Sequence, residues 1–171
     1  ALKLGDYAIT EAGFGADLGA EKSMDIKCRL SGVKPSAVVV VATVRALKHH
    51  GGCPKAELGV PNLEYLEAGA ANLGRHVENM QKIYGMPVCV AINAFPTDSA
   101  EEHEFLREYC TQLGVPCALS EVFAKGGEGG LELAEDVLGI MEQREPHFAY
   151  EDSAPLKEKI EAVCKKVYHA A

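Results

Sequence analysis

A β-branched run at residues 37–44 restricts the folds open to this chain more than any other segment. The run has the sequence Ala-Val-Val-Val-Val-Ala-Thr-Val and shows no alternation of apolar and polar residues. A strand that is apolar on both faces belongs in the middle of a parallel sheet that is covered by helices on both sides. The sequence therefore predicts an α/β protein.

The segments that follow repeat this plan. Further buried strands are predicted at 87–92 and 115–120, with a short strand at 7–10, a helix over 20–30 and an irregular connection over 45–61. Helices are predicted from Asn62, from Ser99 with Glu101 and Glu102 in its first turn, from the glycines near 126 to about 143, and over 156–167. An apolar stripe at helical spacing is predicted on the first of them, at Leu63, Leu66, Ala70, Leu73, Val77, Met80 and Tyr84, and on the last, at Leu156, Ile160, Val163, Cys164 and Val167. Strands alternating with helices of these lengths indicate α/β architecture with a largely parallel sheet.

Composition excludes several classes of protein. The net charge of -8 argues against nucleic acid or an anionic membrane as the main partner, and no apolar run is long enough to span a bilayer. The six cysteines form no C-x-x-C pair, and several lie in apolar runs as buried free thiols do. We therefore expect a reducing, cytoplasmic location.

Three unusual segments follow the three main strands, at residues 42–53, 93–98 and 120–130. In open α/β sheets, ligands bind beyond the carboxyl ends of the strands. The sequence therefore predicts a ligand site where these segments converge.

The most distinctive of the three is the glycine-rich stretch at residues 123–130, Phe-Ala-Lys-Gly-Gly-Glu-Gly-Gly. Its glycines let a ligand approach backbone N–H groups closely, and a helix beginning behind them favours an anion. A turn that merely needs glycine is the alternative. No Gly-Lys-Ser/Thr sequence follows, so this is not a Walker A loop.

Aromatic and polar side chains beside these segments are candidates for ligand binding. Phe95 and Phe123 are placed to clamp a planar heterocycle, unless each ring is tucked under its own loop. Lys125 is suited to a phosphate or carboxylate, or is simply solvated. Asn93 is suited to a ligand edge, or bonds the turn backbone.

The segment after the first strand gives weaker signals. Arg45 and Lys48 are candidates for holding an anion. His49, His50 and Cys53 suggest a metal, but adjacent histidines rarely share one ion and no second ligand group has a zinc-site spacing, so we predict no metal site. Glu11 and Asp17 flank a short Gly-Phe-Gly, which is too short for a dinucleotide-binding fingerprint. For Glu11, ordinary loop solvation competes with a role in orienting a base or ligand.

Four motifs, in this order, resemble formate–tetrahydrofolate ligase and cover nearly the whole chain. They are TEAGFGADLG at 10–19, VATVRALK at 41–48, AINAFPTD at 91–98 and AKGGEGG at 124–130. The resemblance implies a three-layer architecture similar to P-loop NTPases or Rossmann folds. Residues 1–32 are then expected to belong to a preceding nucleotide-binding domain, and residues 33–171 to form a folate-binding domain.

The resemblance also implies a reaction. Members of the family use ATP and Mg²⁺ to make formyl phosphate from formate, then transfer the formyl group to N10 of tetrahydrofolate. Bacterial members are typically cytoplasmic homotetramers activated by monovalent cations. By resemblance, Phe95, Pro96 and Phe123 bind the pterin, Lys125, Gly126 and Gly127 bind anionic groups, and Arg45 and Lys48 follow as weaker anion candidates.

Two departures from the family pattern bear on function. The Walker-type loop and its lysine are absent, so the chain resembles the middle of the enzyme and is expected to be inactive by itself. Phe123 stands where the family usually has tryptophan, which predicts weaker folate binding. A non-catalytic folate- or nucleotide-binding paralogue is the alternative, and part of another P-loop ATPase, with Asn93 contacting a base, explains the motifs less well.

Overall fold

The computed structural model describes residues 1–170, which divide into two compact units. One unit comprises residues 34–147, and the other comprises residues 1–33 together with 148–170. The predicted roles of residues 1–32 and 33–171 as parts of different domains stay predictions.

Residues 34–147 form a three-stranded sheet flanked by helices. The strands are β1 (Val38–Ala42), β2 (Val88–Asn93) and β3 (Cys117–Ser120), in the order β1-β2-β3, and both pairs are parallel. The helices are α3 (Val44–His50), α4 (Leu63–Glu78), which continues as a π-helix over Asn79–Ile83, α5 (Ala100–Gln112), α6 (Val122–Lys125) and α7 (Leu131–Ile140), with 3₁₀ turns at Lys55–Glu57 and Gly126–Gly130. This confirms the predicted α/β fold with a parallel sheet.

The core of this unit lies around the central strand, because β2 has a hydrogen-bonded neighbour on each side. Its residues 88–92 are all buried. The predicted stripe of α4 is also buried, at Leu66, Ala70, Leu73, Val77, Met80 and Tyr84, whereas Leu63 at its start is exposed. Asn62 caps this helix, since its side chain accepts a hydrogen bond from the Tyr65 N–H at 3.0 Å.

The prediction of an irregular connection over 45–61 is wrong for its first part, because α3 occupies Val44–His50. Thr43 follows the preceding strand and caps this helix, its hydroxyl accepting from the Ala46 N–H at 3.1 Å. The residues of α3 that face inward are Val44, Leu47 and Lys48. Burial of this face stabilises α3. In the sequence, its two histidines and the glycines after it resemble a loop.

The other unit is built on helices. They are α1 (Leu18–Lys22) and α2 (Arg29–Ser31), joined by a π-helix over Ser23–Cys28, and α8 (Leu156–Ala162), which continues as a π-helix over Val163–Val167. Arg29 fastens the first helical segment to residues 148–150, donating to the Tyr150 carbonyl at 2.6 Å and lying 4.0 Å from the Phe148 ring centroid. Asp25 Oδ1 accepts from the Ala149 N–H at 2.7 Å, so one buried and one partly buried hydrogen bond connect these segments.

The predicted strand at 7–10 is wrong. These residues have no regular structure, and Ile9 is 99% exposed. In the described part of the chain they pair with no strand, and β propensity alone does not hold an unpaired strand in water. In the last helix the predicted apolar stripe is only partly covered, with Val167 buried and Leu156, Ile160 and Cys164 exposed. No helix within residues 1–170 is long and apolar enough to cross a membrane.

Candidate functional site

The carboxyl ends of the three strands meet at one edge of the sheet. Ala42 at the end of β1 pairs in register with Ile92, and Asn93 at the end of β2 pairs with Ser120 at the end of β3. The Ala94 N–H extends this pairing, donating to the Ser120 carbonyl at 3.0 Å. The segments that follow the strands therefore leave the sheet side by side, as predicted.

A tight turn after β2 presents Phe95. The Asp98 N–H donates to the Phe95 carbonyl at 3.0 Å, and the Phe95 N–H donates to Asp98 Oδ2 at 2.9 Å. The same carboxylate oxygen lies 3.2 Å from Nε2 of His103. Asp98, whose side chain is 1% exposed, thus closes the turn from inside and fixes the backbone of the aromatic residue.

Phe95 is 37% exposed, and its ring lies beside a cation. The guanidinium carbon of Arg45, from the first turn of α3, is 5.7 Å from the ring centroid, within the range of a cation–π interaction. We refer to residues 95–98 together with Arg45 as the β2 wall. Pro96, also predicted for the pterin site, is exposed in this turn.

Residues 121–130, which we call the β3 wall, follow the neighbouring strand. Here Phe123 lies in the short helix α6 and is 97% exposed. Of the two alternatives for this ring, the structure shows the one in which it is not tucked under its loop. Lys125 ends the same helix, and its Nζ donates to Glu121 Oε2 at 2.5 Å with its side chain 56% exposed. A surface ion pair of this kind contributes little free energy, so a ligand anion can replace the carboxylate at small cost.

The glycines of the β3 wall serve two different purposes. Gly126 has φ +62°, a conformation that L residues rarely adopt, and a Cβ at Gly126 or Gly127 would meet no atom within 4 Å. A Cβ at Gly129 would instead lie 2.5 Å from the carbonyl carbon of Glu121. The Glu121 N–H donates to the Gly129 carbonyl at 2.9 Å. One end of the glycine stretch therefore packs against the strand end, while the other faces open space.

Lys48 is placed differently from the other predicted anion-binding residues. Its side chain has no exposed area, and Nζ donates to Glu102 Oε1 at 2.8 Å and to the Val60 carbonyl at 2.9 Å. These contacts occupy the ammonium inside the protein and argue against direct contact with a ligand.

Glu102 is the centre of this buried network. Besides Lys48, its carboxylate accepts from the Asn62 N–H at 2.9 Å and from the Ser99 N–H at 2.9 Å, the latter as half of a capping box. Burial alone would raise the pKa of Glu102, but the hydrogen bonds from Lys48, Ser99 and Asn62 hold the pKa of this carboxyl below its ordinary value. The group is therefore a buried carboxylate that is fully hydrogen-bonded.

Sequence reasoning missed the burial of Glu102 and placed it only in the first turn of a helix. The periodicity contains the signal, because Glu102, Leu106 and Cys110 are spaced four apart and therefore share one face of α5. All three are buried. Lys48 gives the same kind of signal, being four residues after the buried Val44.

The remaining sequence candidates form no site in the structure. His49 Nδ1 lies 3.3 Å from the Cys53 carbonyl oxygen, His50 and Glu11 are exposed, and Asn93 is half-buried in β2. Asp17 precedes α1 without a side-chain capping bond. Within residues 1–170, no group of three or more His, Cys, Asp or Glu side chains is arranged to hold a metal ion.

The fold and this edge define the class of the protein: a parallel α/β protein that presents aromatic rings, cations and open glycines beyond the carboxyl ends of its strands. The family model for formate–tetrahydrofolate ligase matches residues 1–171. The chain therefore belongs to the formate–tetrahydrofolate ligase family.

Proposed function

We propose that this chain carries the folate site, and part of the nucleotide or intermediate site, of an ATP-dependent ligase that forms 10-formyltetrahydrofolate from formate and tetrahydrofolate. One observation carries the proposal: Phe95 and Phe123 follow the ends of neighbouring paired strands, and each has a cation nearby. Arg45 lies beside the Phe95 ring, and Lys125 follows Phe123 by two residues. Such an edge suits a planar ligand that also bears negative charge.

The pterin is the planar group that this edge would hold. Its ring would stack on the exposed face of Phe95 and on Phe123, with Pro96 shaping the wall beside them. Aromatic pairs stack with about 0.5–1.5 kcal/mol beyond the burial of their area. Phe123 offers a smaller face than the tryptophan that is usual in the family and has no N–H donor, so we expect weaker binding with the same geometry.

Anionic groups are assigned to the cations and open glycines. A ligand could approach Gly126 and Gly127 closely, because a Cβ at either position would meet open space, although the Gly126 N–H itself donates to the Val122 carbonyl. Lys125 is tied only by an exposed ion pair. Arg45 adds a further positive charge within the β2 wall. Lys48 we assign to the support of this wall instead, because its charge is buried.

The reaction that the family resemblance implies has two balanced steps. A formate oxygen attacks the γ-phosphorus of ATP, which gives formyl phosphate and ADP. N10 of tetrahydrofolate then attacks the formyl carbon, the bond to phosphate breaks, and N10 loses its proton as phosphate leaves. In such transfers the protein contributes mostly positioning and charge stabilisation. Mg²⁺ and a monovalent cation are further expectations that the family resemblance implies.

We expect no ligase turnover from these 171 residues assayed alone, because they contain no Gly-Lys-Ser/Thr phosphate loop. Formation of 10-formyltetrahydrofolate by the pure chain would contradict this expectation. A homo-oligomer and a cytoplasmic location complete the proposal, the location being supported by six free cysteines of which four are buried.

Calorimetric titration of tetrahydrofolate tests the proposal. We expect saturable binding to the unaltered chain and its loss in Phe95→Ala and in Phe123→Ala. Phe105→Ala is the matched control, since this ring stacks on Tyr109 within α5 with their centroids 6.2 Å apart. Equal binding by all four proteins, or no binding to folded protein, would contradict the folate site.

The replacement of the usual tryptophan by Phe123 favours one second candidate, a paralogue that binds folate or nucleotide without turnover. Titrations with ATP and tetrahydrofolate in separate experiments distinguish the two ligands. The gene's continuation into a phosphate loop would decide between the ligase and the paralogue.

A further inference from the structure

We propose that Lys48 and Glu102 are positioning residues for the β2 wall: they contact no ligand, and their ion pair sets the position of Arg45 relative to Phe95. The inference rests on the proposed function only for the identity of the ligand. The contacts that position Arg45 and Phe95 all lie within the unit of residues 34–147.

The Lys48–Glu102 pair connects α3 to the turn at residues 95–98. Lys48 follows Arg45 by three residues on α3, which begins directly after β1. Glu102 accepts a hydrogen bond from the N–H of Ser99, and Ser99 directly follows the turn that ends at Asp98. The 2.8 Å bond between Lys48 and Glu102 therefore joins the helix that carries Arg45 to the turn that carries Phe95.

The side chains of Lys48 and Glu102 also fix a third segment, the loop before α4. Lys48 Nζ also donates to the Val60 carbonyl, and Glu102 Oε1 also accepts from the Asn62 N–H. The loop before α4 is thus held at both sides of Pro61. Three chain segments meet at one buried ion pair, so a change in the pair is transmitted to all of them.

The two buried charges of this pair have directional partners. A buried ion pair is seldom more stabilising than apolar residues of similar volume, so stability alone does not account for it. Charged hydrogen bonds are directional, and each donor and acceptor described above has a defined partner. What the pair supplies is a fixed orientation of α3 against the 95–98 turn.

The test is made on the folded chain by nuclear magnetic resonance. The Phe95 ring shifts the resonances of the Arg45 side-chain protons that lie near it, so these shifts report the contact without any ligand. We expect the shifts to move toward unstructured values in Lys48→Met and Glu102→Gln. Val88→Ala is the control, because this buried valine lies at the opposite end of β2 and its loss weakens the core without touching the wall.

A second readout uses tetrahydrofolate. We expect about tenfold weaker binding in both positioning variants at a temperature where each is fully folded, a size typical of coupled neighbours, and unchanged binding in Val88→Ala. If Lys48→Met does not fold, Glu102→Gln carries the test, since it keeps the volume and one acceptor oxygen.

The outcomes separate this inference from the proposed function. Absence of tetrahydrofolate binding to the unaltered chain would reject the folate site, while the Arg45 shifts would still decide the positioning. Retention of the Arg45 shifts in folded variants overturns the inference. Undiminished affinity in variants of a chain that binds tetrahydrofolate also overturns it.

Discussion

The β2 and β3 walls follow neighbouring strands, yet their side chains are held in different ways. In the β2 wall, Phe95 is fixed by a buried Asp98 and lies beside Arg45, and the turn is followed by Ser99, whose N–H bonds the Glu102 of the buried ion pair. In the β3 wall, Phe123 and Lys125 are mostly exposed, and the ion pair of Lys125 lies at the surface. The comparison indicates that one wall is ordered before any ligand arrives, whereas the other gains most of its contacts from the ligand.

Loss of the buried carboxylate should produce the largest difference between the walls. Glu102→Ala leaves Lys48 charged and buried and two backbone N–H groups without their acceptor, so we expect a loss of about 3–5 kcal/mol in the free energy of unfolding. Lys125→Ala breaks only an exposed pair, for which we expect a change within about 0.5 kcal/mol. Urea unfolding of both variants measures this, and equal losses would contradict the comparison.

The glycines of the β3 wall should show a smaller difference. In Gly129→Ala the new methyl group collides with the Glu121 backbone, which should cost about 1–3 kcal/mol through overpacking. In Gly127→Ala the methyl group meets open space, so we expect no loss and a gain of up to about 1 kcal/mol from the less flexible unfolded chain.

Thermal unfolding of the two glycine variants checks this prediction. A similar loss in both variants would show that the two ends of the glycine stretch are packed alike. Tetrahydrofolate affinity supplies the complementary readout, because Gly127→Ala places a methyl group where a ligand would approach the backbone and should therefore weaken binding without loss of stability.

Enlarging the exposed ring should sharpen the comparison at the level of affinity. Phe123→Trp adds stacking area, and we expect tetrahydrofolate binding to tighten by about 0.5–1.5 kcal/mol. Because the chain has no tryptophan, the same variant supplies a fluorescence signal for the titration. Weaker binding than in the unaltered chain would argue that this position evolved for another ligand.

The smallest expected effect is on the acid side of the stability curve, since Glu102 is one of 25 acidic residues. Its pKa is lowered in the folded protein from an ordinary value of 4.5. The charged form therefore contributes stability above that value, and this contribution is lost as pH falls through the folded pKa. Glu102→Gln should flatten the decline of stability below about pH 4.5, measured by unfolding at a series of pH values. An unchanged slope would contradict the role of the charge.

The sequence predicted the fold wherever burial leaves a regular pattern. The β-branched run at 37–44 became β1, and the stripe of α4 follows the expected spacing. Residues 7–10 show the limit of this reasoning, because a strand needs a neighbour that local sequence does not specify. The helix at Val44–His50 was missed because its two histidines and the glycines after it resemble a loop.

The position of the candidate site could be predicted from the sequence, but the burial of Lys48 and Glu102 next to it could not. Convergence at the carboxyl edge follows from the topology of parallel strands, and Phe95 and Phe123 are both presented there. The burial of Lys48 and Glu102 is a tertiary property of residues that are usually exposed. Their spacing from apolar neighbours was the available signal, but it does not identify the partner that makes burial of the charge tolerable.

The most direct test of the folate site is the measurement of nuclear Overhauser effects between bound tetrahydrofolate and isotope-labelled chain. We expect nuclear Overhauser effects from pterin protons to the ring protons of both Phe95 and Phe123. Saturable binding with contacts to neither ring, or to one ring only, would contradict the proposal that the two walls together form the folate site.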